Sequence, residues 1–415
     1  MAYCNEGVFN FAWTKGMIIK KIAKRITRKI GFEIIRYSPD SCEKGLITLK
    51  PEKKSQGNVL LSYGPLGKIE YFLAKQDDPI TNTHTNYWES LQIAKTFLNL
   101  DYTVDIISYH NKDFIPEKEY SFFIGARTNF HIFAKLLNAD CIKIVHLDMA
   151  HWLFNNGAAY NRCLALQQRR GIVVMDSKMC DINWAIEYAD YATVLGNQFT
   201  VSTYQYANKQ IFSIPISTCA TYQWPADKNF DSCRKNYLWF GSSGLVHKGL
   251  DLVLEVFAGM PDYHLTVCGP IKSEKDFETG YYRELYQTKN IHTVGWVDIN
   301  SHKFVEIMNN CVGLIYPSCA EGGGGCVINC LHAGLIPIVS YESSVDVDDF
   351  GVILKDCSNG EIKTAIQNVS NRSVEDLKRM ARKSWEYARA NHTRERFAEA
   401  YAKTILKIMA IHNKK

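Results

Sequence analysis

The sequence predicts an α/β protein made of two doubly wound, Rossmann-like domains that face each other across a cleft. Short apolar runs alternate with amphipathic helical patterns in two long stretches of the chain, which indicates parallel sheets covered on both faces. A polar segment without periodicity separates the two stretches. The chain has 415 residues, which is too many for one ordinary core and enough for two.

We place the first domain at residues 58–217. Its predicted strands are rich in β-branched and aromatic residues, and in chain order they are NVLLSYGP, YTVDIISY, SFFIGA, IKIVHLD, YATVLG and QIFSIPIS. A helix follows the first strand in NYWESLQIAKTFLNL, where Leu91 and Leu98 recur on one side. Because Asn86 followed by Glu89 is typical of a capping box, we expect Asn86 to begin this helix.

Residues 218–235 form the predicted linker, and the pattern resumes in a second domain at residues 236–390. Its predicted strands are NYLWFGS, HLTVCGP, IHTVGWV, VGLIYPS, IPIVSY and GVIL, with a helix in KGLDLVLEVFAGM after the first. A C-terminal helix within residues 391–415 is expected to pack back toward the first domain. Ligands of such sheets bind at the carboxyl ends of the strands, so we expect a binding cleft between the domains.

Residues 1–57 form a basic N-terminal extension. They contain twelve lysines and arginines against five aspartates and glutamates, whereas the other 358 residues have a net charge of −2. Isoleucines recur every four residues within residues 15–36 and cations fill the other faces, which predicts a basic amphipathic helix. Such a helix can lie on an anionic membrane surface, pack against the domain or bind nucleic acid. We favour the membrane surface and disfavour nucleic acid, because the rest of the chain has no complementary basic patch.

Apolar runs and cysteines indicate the cellular compartment. No apolar run reaches the roughly 18 residues that a membrane-spanning helix needs, and the N-terminus lacks the apolar core of a signal peptide. The thirteen cysteines lie mainly within apolar runs, which is typical of reduced thiols. The spacing of Cys319, Cys326 and Cys330 contains no CxxC pair, so no zinc site is expected. We therefore expect a cytoplasmic protein, peripheral on the inner face of the membrane.

The segment CAEGGGGCVINCLHAG, residues 319–334, contains four consecutive glycines behind a glutamate. A predicted strand precedes it and a predicted helix follows, so Glu321 to Gly325 form a strand-to-helix turn. A helix N-terminus offers unpaired N–H groups and a partial positive charge, and glycines let a phosphate oxygen approach that backbone. We predict that this turn binds a phosphate or diphosphate, through Gly323, Gly324, Gly325 and Cys326.

A second strand-to-helix turn, in LWFGSSGLVHKGLDLVLEVF, contains Gly241, Gly244 and Lys248. A lysine here can neutralise a diphosphate leaving group when a sugar–phosphate bond breaks. A merely solvated lysine is disfavoured, because cations are destabilised at the N-terminal end of a helix. We expect Lys248 to contact the diphosphate, with Gly241 and Gly244 allowing close approach of the backbone.

These motifs resemble those of retaining GT-B glycosyltransferases of family 4, also called group 1. The resemblance is carried by GSSGLVHKGLDLVLEVF, HLTVCGP, IHTVGWV and LIYPSCAEGGGGCVINCLHAGLIPIVS, whereas the first domain shares only the order of strands and helices. Glu321 matches the first glutamate of the family's motif, and Asn329 stands where the second glutamate is expected. The turn GSSG lacks the arginine that tends to precede the position of Lys248. Both departures leave less charge around the diphosphate.

The resemblance implies a nucleoside-diphosphate sugar bound mainly in the second domain and an acceptor bound mainly in the first. Glu321 would contact the sugar hydroxyls, Lys248 the diphosphate and Asn329 the ribose. The resemblance implies no metal ion or separate cofactor, retention of the anomeric configuration, and help from a diphosphate oxygen in deprotonating the acceptor. It also suggests that a histidine near the end of IKIVHLD contacts the sugar, and His146 and His151 are the candidates.

We therefore predict a hexosyltransferase that moves a sugar from a nucleoside diphosphate to a polysaccharide or lipid-linked acceptor at the cytoplasmic face of the membrane. A nucleotide-sugar epimerase or phosphorylase on the same architecture is an alternative. A binding protein that has lost turnover is another. A hydride-transferring Rossmann enzyme is disfavoured, because no G-x-G-x-x-G opens the first domain.

Overall fold

The computed structural model describes residues 45–64 and 84–412, together with the backbone of residues 33–36. All twelve predicted strands form, and they lie in two separate sheets, which confirms the predicted α/β class. Among the helices of these residues, none combines the length and the apolarity that crossing a membrane requires. The eleven cysteines in these parts of the chain are all free thiols.

The first sheet has eight strands in the order β1-β2-β4-β3-β5-β6-β7-β8. Strands β3 to β8 are joined by parallel pairing, whereas β2 pairs antiparallel with β4 and β1 pairs antiparallel with β2. The bounds are β1 Glu33–Arg36, β2 Leu46–Lys50, β3 Asn58–Ser62, β4 Thr103–Ile107, β5 Phe122–Gly125, β6 Ile142–Leu147, β7 Tyr191–Leu195 and β8 Gln210–Ile214.

The two antiparallel edge strands differ from the expectation for the N-terminal extension. Both lie within residues 1–57, so part of that segment belongs to the first sheet. Ile47 and Leu49 point into the core, while Thr48 between them donates a hydrogen bond of 2.7 Å to Asp105 in β4. Residues 33–36, expected as the end of the amphipathic helix, form β1 instead. The rest of that helix, residues 15–32, lies outside the described residues.

The second sheet has six strands, all parallel, in the order β11-β10-β9-β12-β13-β14. Their alternation with helices along the chain is the pattern of a doubly wound domain. The bounds are β9 Asn236–Phe240, β10 His264–Cys268, β11 Ile291–Gly295, β12 Gly313–Tyr316, β13 Ile336–Ser340 and β14 Val352–Leu354.

Thirteen α-helices lie between and after these strands in the described residues. They are α1 Thr85–Asn99, α2 Phe130–Ala134, α3 Trp152–Arg170, α4 Gln198–Thr203, α5 Phe230–Cys233, α6 Leu250–Ala258, α7 Lys275–Gly280, α8 Tyr282–Tyr286, α9 His302–Asn310, α10 Gly325–His332, α11 Asn359–Ser370, α12 Val374–Asn391 and α13 Arg394–His412.

The N-terminal cap of helix α1 lies two residues before Asn86, the cap that the capping-box pattern predicts. Its N-terminal cap is His84, whose Nδ1 accepts a hydrogen bond of 3.3 Å from the amide of Asn86. Glu89 does not complete a capping box, because its side chain is completely buried. Its Oε1 accepts hydrogen bonds from the amide and the hydroxyl of Ser217, at 3.0 and 2.8 Å. Glu89 thus ties α1 to the place where the chain leaves the first domain.

Helix α13, at the end of the chain, covers the first sheet. The ring of Phe397 packs edge-on against that of Trp88 in α1, with 5.9 Å between centroids. One apolar stripe of the helix is completely buried there: Phe397, Tyr401, Ile405 and Ile408.

The chain passes between the two domains at two neighbouring places. The first passage follows β8, and the second lies between α12 and α13. Nδ1 of His392 in the second passage is 3.3 Å from the carbonyl oxygen of Ile216 in the first. The indole of Trp385 and the guanidinium of Arg389 both donate to the carbonyl oxygen of Tyr222, each at 2.9 Å. The two passages therefore lie side by side.

Candidate active site

Two strand-to-helix turns of the second domain meet at the carboxyl edge of its sheet. One joins β9 to α6 and the other joins β12 to α10, and β9 and β12 are neighbours in the sheet. This arrangement brings together Lys248 and Glu321, two of the residues singled out by the sequence. Nζ of Lys248 is 3.1 Å from Oε1 of Glu321. The side chains are 4% and 19% exposed.

Glu321 is held as a carboxylate by its surroundings. Burial alone opposes ionisation, but the charge of Lys248 and nearby hydrogen-bond donors overcome it and lower the pKa of Glu321 to about 2. The donors are the hydroxyls of Tyr316 and Ser318, at 2.7 and 3.0 Å from Oε1. The pKa of Lys248 is raised: burial opposes its charge, and Glu321 more than compensates. At neutral pH the pair therefore consists of the cation of Lys248 and the carboxylate of Glu321, which accepts hydrogen bonds.

The four glycines bring this turn against the first domain. A Cβ atom added to Gly322 would lie 2.2 Å from Cα of Met149, so only glycine fits there without displacing the backbone. Gly323 and Gly324 have φ angles of 127° and 57°, a region that favours glycine. A Cβ on Gly196 of the first domain would lie 3.0 Å from the amide of Gly323. Close contact between the domains is therefore one physical reason for the glycine run.

Other residues predicted to bind the donor lie around the same turns. Cys326, in the first turn of α10, is electrostatically close to Lys248 and Glu321, and burial raises the pKa of its thiol. A Cβ on Gly241 would lie 3.1 Å from Cδ of Lys248. Asn329 is in the following turn of α10, where its Oδ1 accepts a hydrogen bond of 3.1 Å from Thr218.

Gly244 occupies a different environment from the one expected. Its amide donates a hydrogen bond of 2.6 Å to Oε1 of Glu274, and the amide of Leu245 donates one of 3.1 Å to Oε2. These two N–H groups are therefore paired with a carboxylate of the protein. Gly244 has a φ angle of 85°, a conformation that favours glycine, so this residue allows the backbone to form the turn.

His247 supports the glutamate turn and was not singled out from the sequence. Its ring is buried, and Nε2 is 2.5 Å from the carbonyl oxygen of Ala320. Its own carbonyl oxygen accepts a hydrogen bond of 2.9 Å from the amide of Cys319. On the other side, Nδ1 is 3.8 Å from Oδ2 of Asp176, a residue of the first domain. His247 thus positions the turn that carries Glu321.

The first domain contributes an ion pair between Arg127 and Asp148, of which the sequence analysis missed Arg127. Arg127 follows β5 and Asp148 follows β6, and these strands are neighbours. Nε and Nη2 of Arg127 donate to the two carboxylate oxygens of Asp148, at 3.2 and 2.7 Å. Burial would raise the pKa of Asp148, but Arg127 lowers it, so Asp148 stays ionised. The φ angle of Arg127 is 65°, a costly conformation for a non-glycine residue. A charged residue two positions after the end of a buried strand was the available signal for Arg127.

His84 lies in the electrostatic field of three charged side chains of its own domain. The residue is solvent-accessible, yet the surrounding protein lowers its pKa to about 4. Desolvation is the largest cause, and the positive charges of Lys178 and Arg127 add to it. Asp148 opposes the shift. These four side chains therefore share one electrostatic environment.

The two histidines predicted to contact the sugar are both engaged in contacts within the protein. His146 is 1% exposed, and its ring packs 4.8 Å from Tyr63 and 6.1 Å from Tyr401, beneath the C-terminal helix. Its side chain lies inside the core and not in the cleft. His151 uses both ring nitrogens in the protein: Nδ1 accepts from the amide of Leu153 as the cap of α3, and Nε2 is 2.9 Å from the hydroxyl of Tyr206.

Part of the chain is similar to a known protein family. Residues 227–386 match the model of the family described as Glycosyl transferases group 1. None of the curated protein sequences matches the chain.

Solved structures match over most of the chain. The sucrose-phosphate synthase of Thermosynechococcus elongatus is 13% identical with a TM-score of 0.58, and the match covers 86% of this chain and 100% of that one. HepE of Anabaena in complex with UDP-glucose is 12% identical with a TM-score of 0.54, covering 85% and 100%. HepE in complex with UDP and glucose has a TM-score of 0.53 at 12% identity, covering 85% and 99%. These similarities show the two-domain GT-B fold.

Proposed function

We propose that this protein is a glycosyltransferase that moves a hexose from a nucleoside-diphosphate sugar to a glycan or lipid-linked acceptor, with retention of anomeric configuration. The observation that carries the proposal is the Lys248–Glu321 pair, held at 3.1 Å at the carboxyl edge of the second sheet beside the N-terminus of α10. A cation and a helix N-terminus together suit a diphosphate. The group 1 domain match supports the same chemistry.

In the proposed reaction, the bond between the anomeric carbon and the diphosphate oxygen breaks, and the electron pair stays on the diphosphate. The acceptor oxygen forms a bond to the same carbon from the same face, and its proton passes to a diphosphate oxygen. Lys248 neutralises the charge that develops on the leaving group. Glu321, whose pKa is about 2, accepts hydrogen bonds from sugar hydroxyls throughout the physiological pH range.

A panel of uridine, guanosine and adenosine diphosphates and their sugars tests the proposal. We expect one diphosphate to raise the melting temperature, and its sugar to release nucleotide faster when an acceptor is present. Release that needs no acceptor would favour an epimerase or phosphorylase, and binding without release would favour an inactive binding protein. We also propose that transfer needs no metal ion, in which case an excess of EDTA leaves the rate unchanged.

We propose, in addition, that the basic segment associates with an anionic membrane surface, placing the enzyme on the cytoplasmic face. The charge pattern of residues 15–32 supports this. Because residues 33–36 form strand β1, the deletion that tests it should remove residues 1–32 and keep the sheet intact. We expect the full chain to sediment with vesicles containing phosphatidylserine and the shortened chain to stay in solution. Equal sedimentation of both chains would refute the association.

A further inference from the structure

The donor-binding turn has less positive charge than its proposed ligand requires. A diphosphate carries more than one negative charge, and Lys248 is the cation on the β9–α6 turn. Part of its charge is already matched by Glu321, 3.1 Å away. A second cation close to this turn would stabilise the bound anion further.

The segment that follows α3 reaches the second domain and is fixed there. Arg169, near the end of α3, forms salt bridges with Asp251 and Glu255, at 2.8 and 2.7 Å. The amide of Met175 donates a hydrogen bond of 2.9 Å to Asp276. The hydroxyl of Ser177 donates one of 3.0 Å to Glu274. This segment of the first domain is therefore held against the second by several polar contacts.

Lys178 extends from this segment over the turn that carries Lys248. Its Cγ lies so close to Gly244 that a Cβ added there would be only 2.4 Å away. Its backbone is fixed by a hydrogen bond from its amide to Oδ1 of Asp176, at 2.7 Å, and one from Nδ2 of Asn155 to its carbonyl oxygen, at 2.9 Å. Among the residues that the structure describes, no carboxylate forms a salt bridge with its ammonium group.

Lys178 lies in the electrostatic field of Lys248. The pKa of Lys178 is lowered, and the largest cause is the positive charge of Lys248, followed by burial. Glu321 and Cys326 partly oppose the shift. Two lysines from different domains therefore repel each other across one small region, and an anion bound there would relieve the repulsion of both.

We propose that Lys178 is a second diphosphate-binding residue, so that the donor phosphates are held between a lysine of each domain. This inference rests on the function proposed above. Because each lysine would contact the phosphates and neither the base nor the sugar is involved, inorganic pyrophosphate is a suitable probe.

The test measures the Kd of pyrophosphate by isothermal titration calorimetry for the full chain and its variants. We expect Lys178→Gln to weaken binding about tenfold, since a charge-assisted hydrogen bond is lost, and to reduce its dependence on salt concentration. Lys178→Arg should retain most of the affinity. Lys289→Gln is the matched control, because Lys289 is exposed and lies before the amino end of β11, at the opposite edge of the sheet.

The outcomes separate this inference from the proposed function. If Lys178→Gln and the unmodified protein bind pyrophosphate equally while Lys248→Gln binds weakly, Lys178 has no such role and the glycosyltransferase proposal stands. If Lys178→Arg is as weak as Lys178→Gln, the positive charge is not the reason for the loss and the inference is wrong. If the unmodified protein binds neither pyrophosphate nor any nucleoside diphosphate, both proposals fail. Melting temperatures of all variants check that each one is folded.

Discussion

Each domain places one ion pair at the carboxyl edge of its sheet, and the two pairs are built differently. Arg127 donates to both oxygens of Asp148, and its side chain is 39% exposed. Lys248 makes one contact with Glu321 and is only 4% exposed. Glu321 receives further hydrogen bonds from two hydroxyl groups.

The comparison indicates that Lys248 can move away from Glu321, whereas Arg127 is fixed against Asp148. Glu321 would keep two hydrogen bonds if Lys248 turned toward a ligand, so the lysine can move at modest cost. Arg127 would have to break two parallel hydrogen bonds to leave Asp148, which is costly for a planar, bidentate contact. We infer that the pair of the second domain takes part in chemistry, and that the pair of the first domain shapes the wall facing it.

The largest expected effect concerns the rate. Lys248→Gln should lower kcat about 100- to 1000-fold, because it removes the cation that stabilises the leaving group. Arg127→Gln should lower kcat much less, because Arg127 is assigned a structural role. Steady-state kinetics with the donor identified in the nucleotide panel would measure both. A larger loss of kcat in Arg127→Gln would reverse the roles assigned to the two pairs.

The next effect concerns stability and its dependence on pH. The pKa of Glu321 is lowered from 4.5 to about 2 on folding, which corresponds to about 3 kcal/mol of unfolding free energy. This contribution is present above pH 4.5 and is lost as the pH falls toward 2. Urea denaturation should therefore show Glu321→Gln less stable than the unmodified protein at pH 7, with the difference shrinking below pH 4.5. A difference independent of pH would contradict the assignment.

A smaller effect is expected where the walls touch. Gly322→Ala places a Cβ against the backbone of Met149 and should lower the free energy of unfolding by about 2 kcal/mol or force the domains apart. Gly325→Ala is the matched control, since its Cβ would be 3.5 Å from Ile216, an ordinary contact. Chemical denaturation and small-angle X-ray scattering would distinguish the two responses. Equal behaviour of the variants would show that the contact at Gly322 does not hold the domains together.

The smallest effect is expected in the first-domain pair. Asp148→Asn should lower the free energy of unfolding by about 1 kcal/mol, because Arg127 is exposed enough to be solvated by water. The result sharpens the contrast with Glu321, whose partner is almost completely buried. Denaturation at pH 7 of Asp148→Asn and Glu321→Gln side by side would measure it. If Asp148→Asn proves the more destabilising of the two, burial of the cation does not determine how much unfolding free energy is lost when its partner is neutralised.

The proximity of Lys248 and Glu321 could be anticipated from the sequence, because local signals suffice there. Lys248 and Glu321 each lie on a strand-to-helix turn, and parallel strands bring their carboxyl ends to one edge. The first-domain wall is different. Arg127 also follows a strand end, but Lys178 lies on a segment that is held by contacts with the second domain, about 100 residues away in the chain, and no periodicity records such contacts.

The histidines illustrate the same limit. The position of His146 at the end of β6 gives no indication of which face of the sheet its side chain occupies, and α13, more than 200 residues later, covers that face. The cap of α1 is similar, because Glu89 is drawn inward by Ser217, 128 residues away. Strand β2 was missed because it pairs antiparallel, outside the regular alternation of parallel strands and helices, and lies in a charged segment.

Because the chain passes between the domains twice, the first domain is built from two separate parts of the sequence. These are the segment up to β8 and the C-terminal helix α13. A protease that cut once within residues 223–227 would yield two fragments. The second fragment would contain α13, the helix that covers the first sheet. Pulling the fragments apart would expose the stripe of Phe397, Tyr401, Ile405 and Ile408 to water. The cleaved protein should therefore migrate as one particle in gel filtration. The two fragments, when produced separately and mixed, should associate into the same complex.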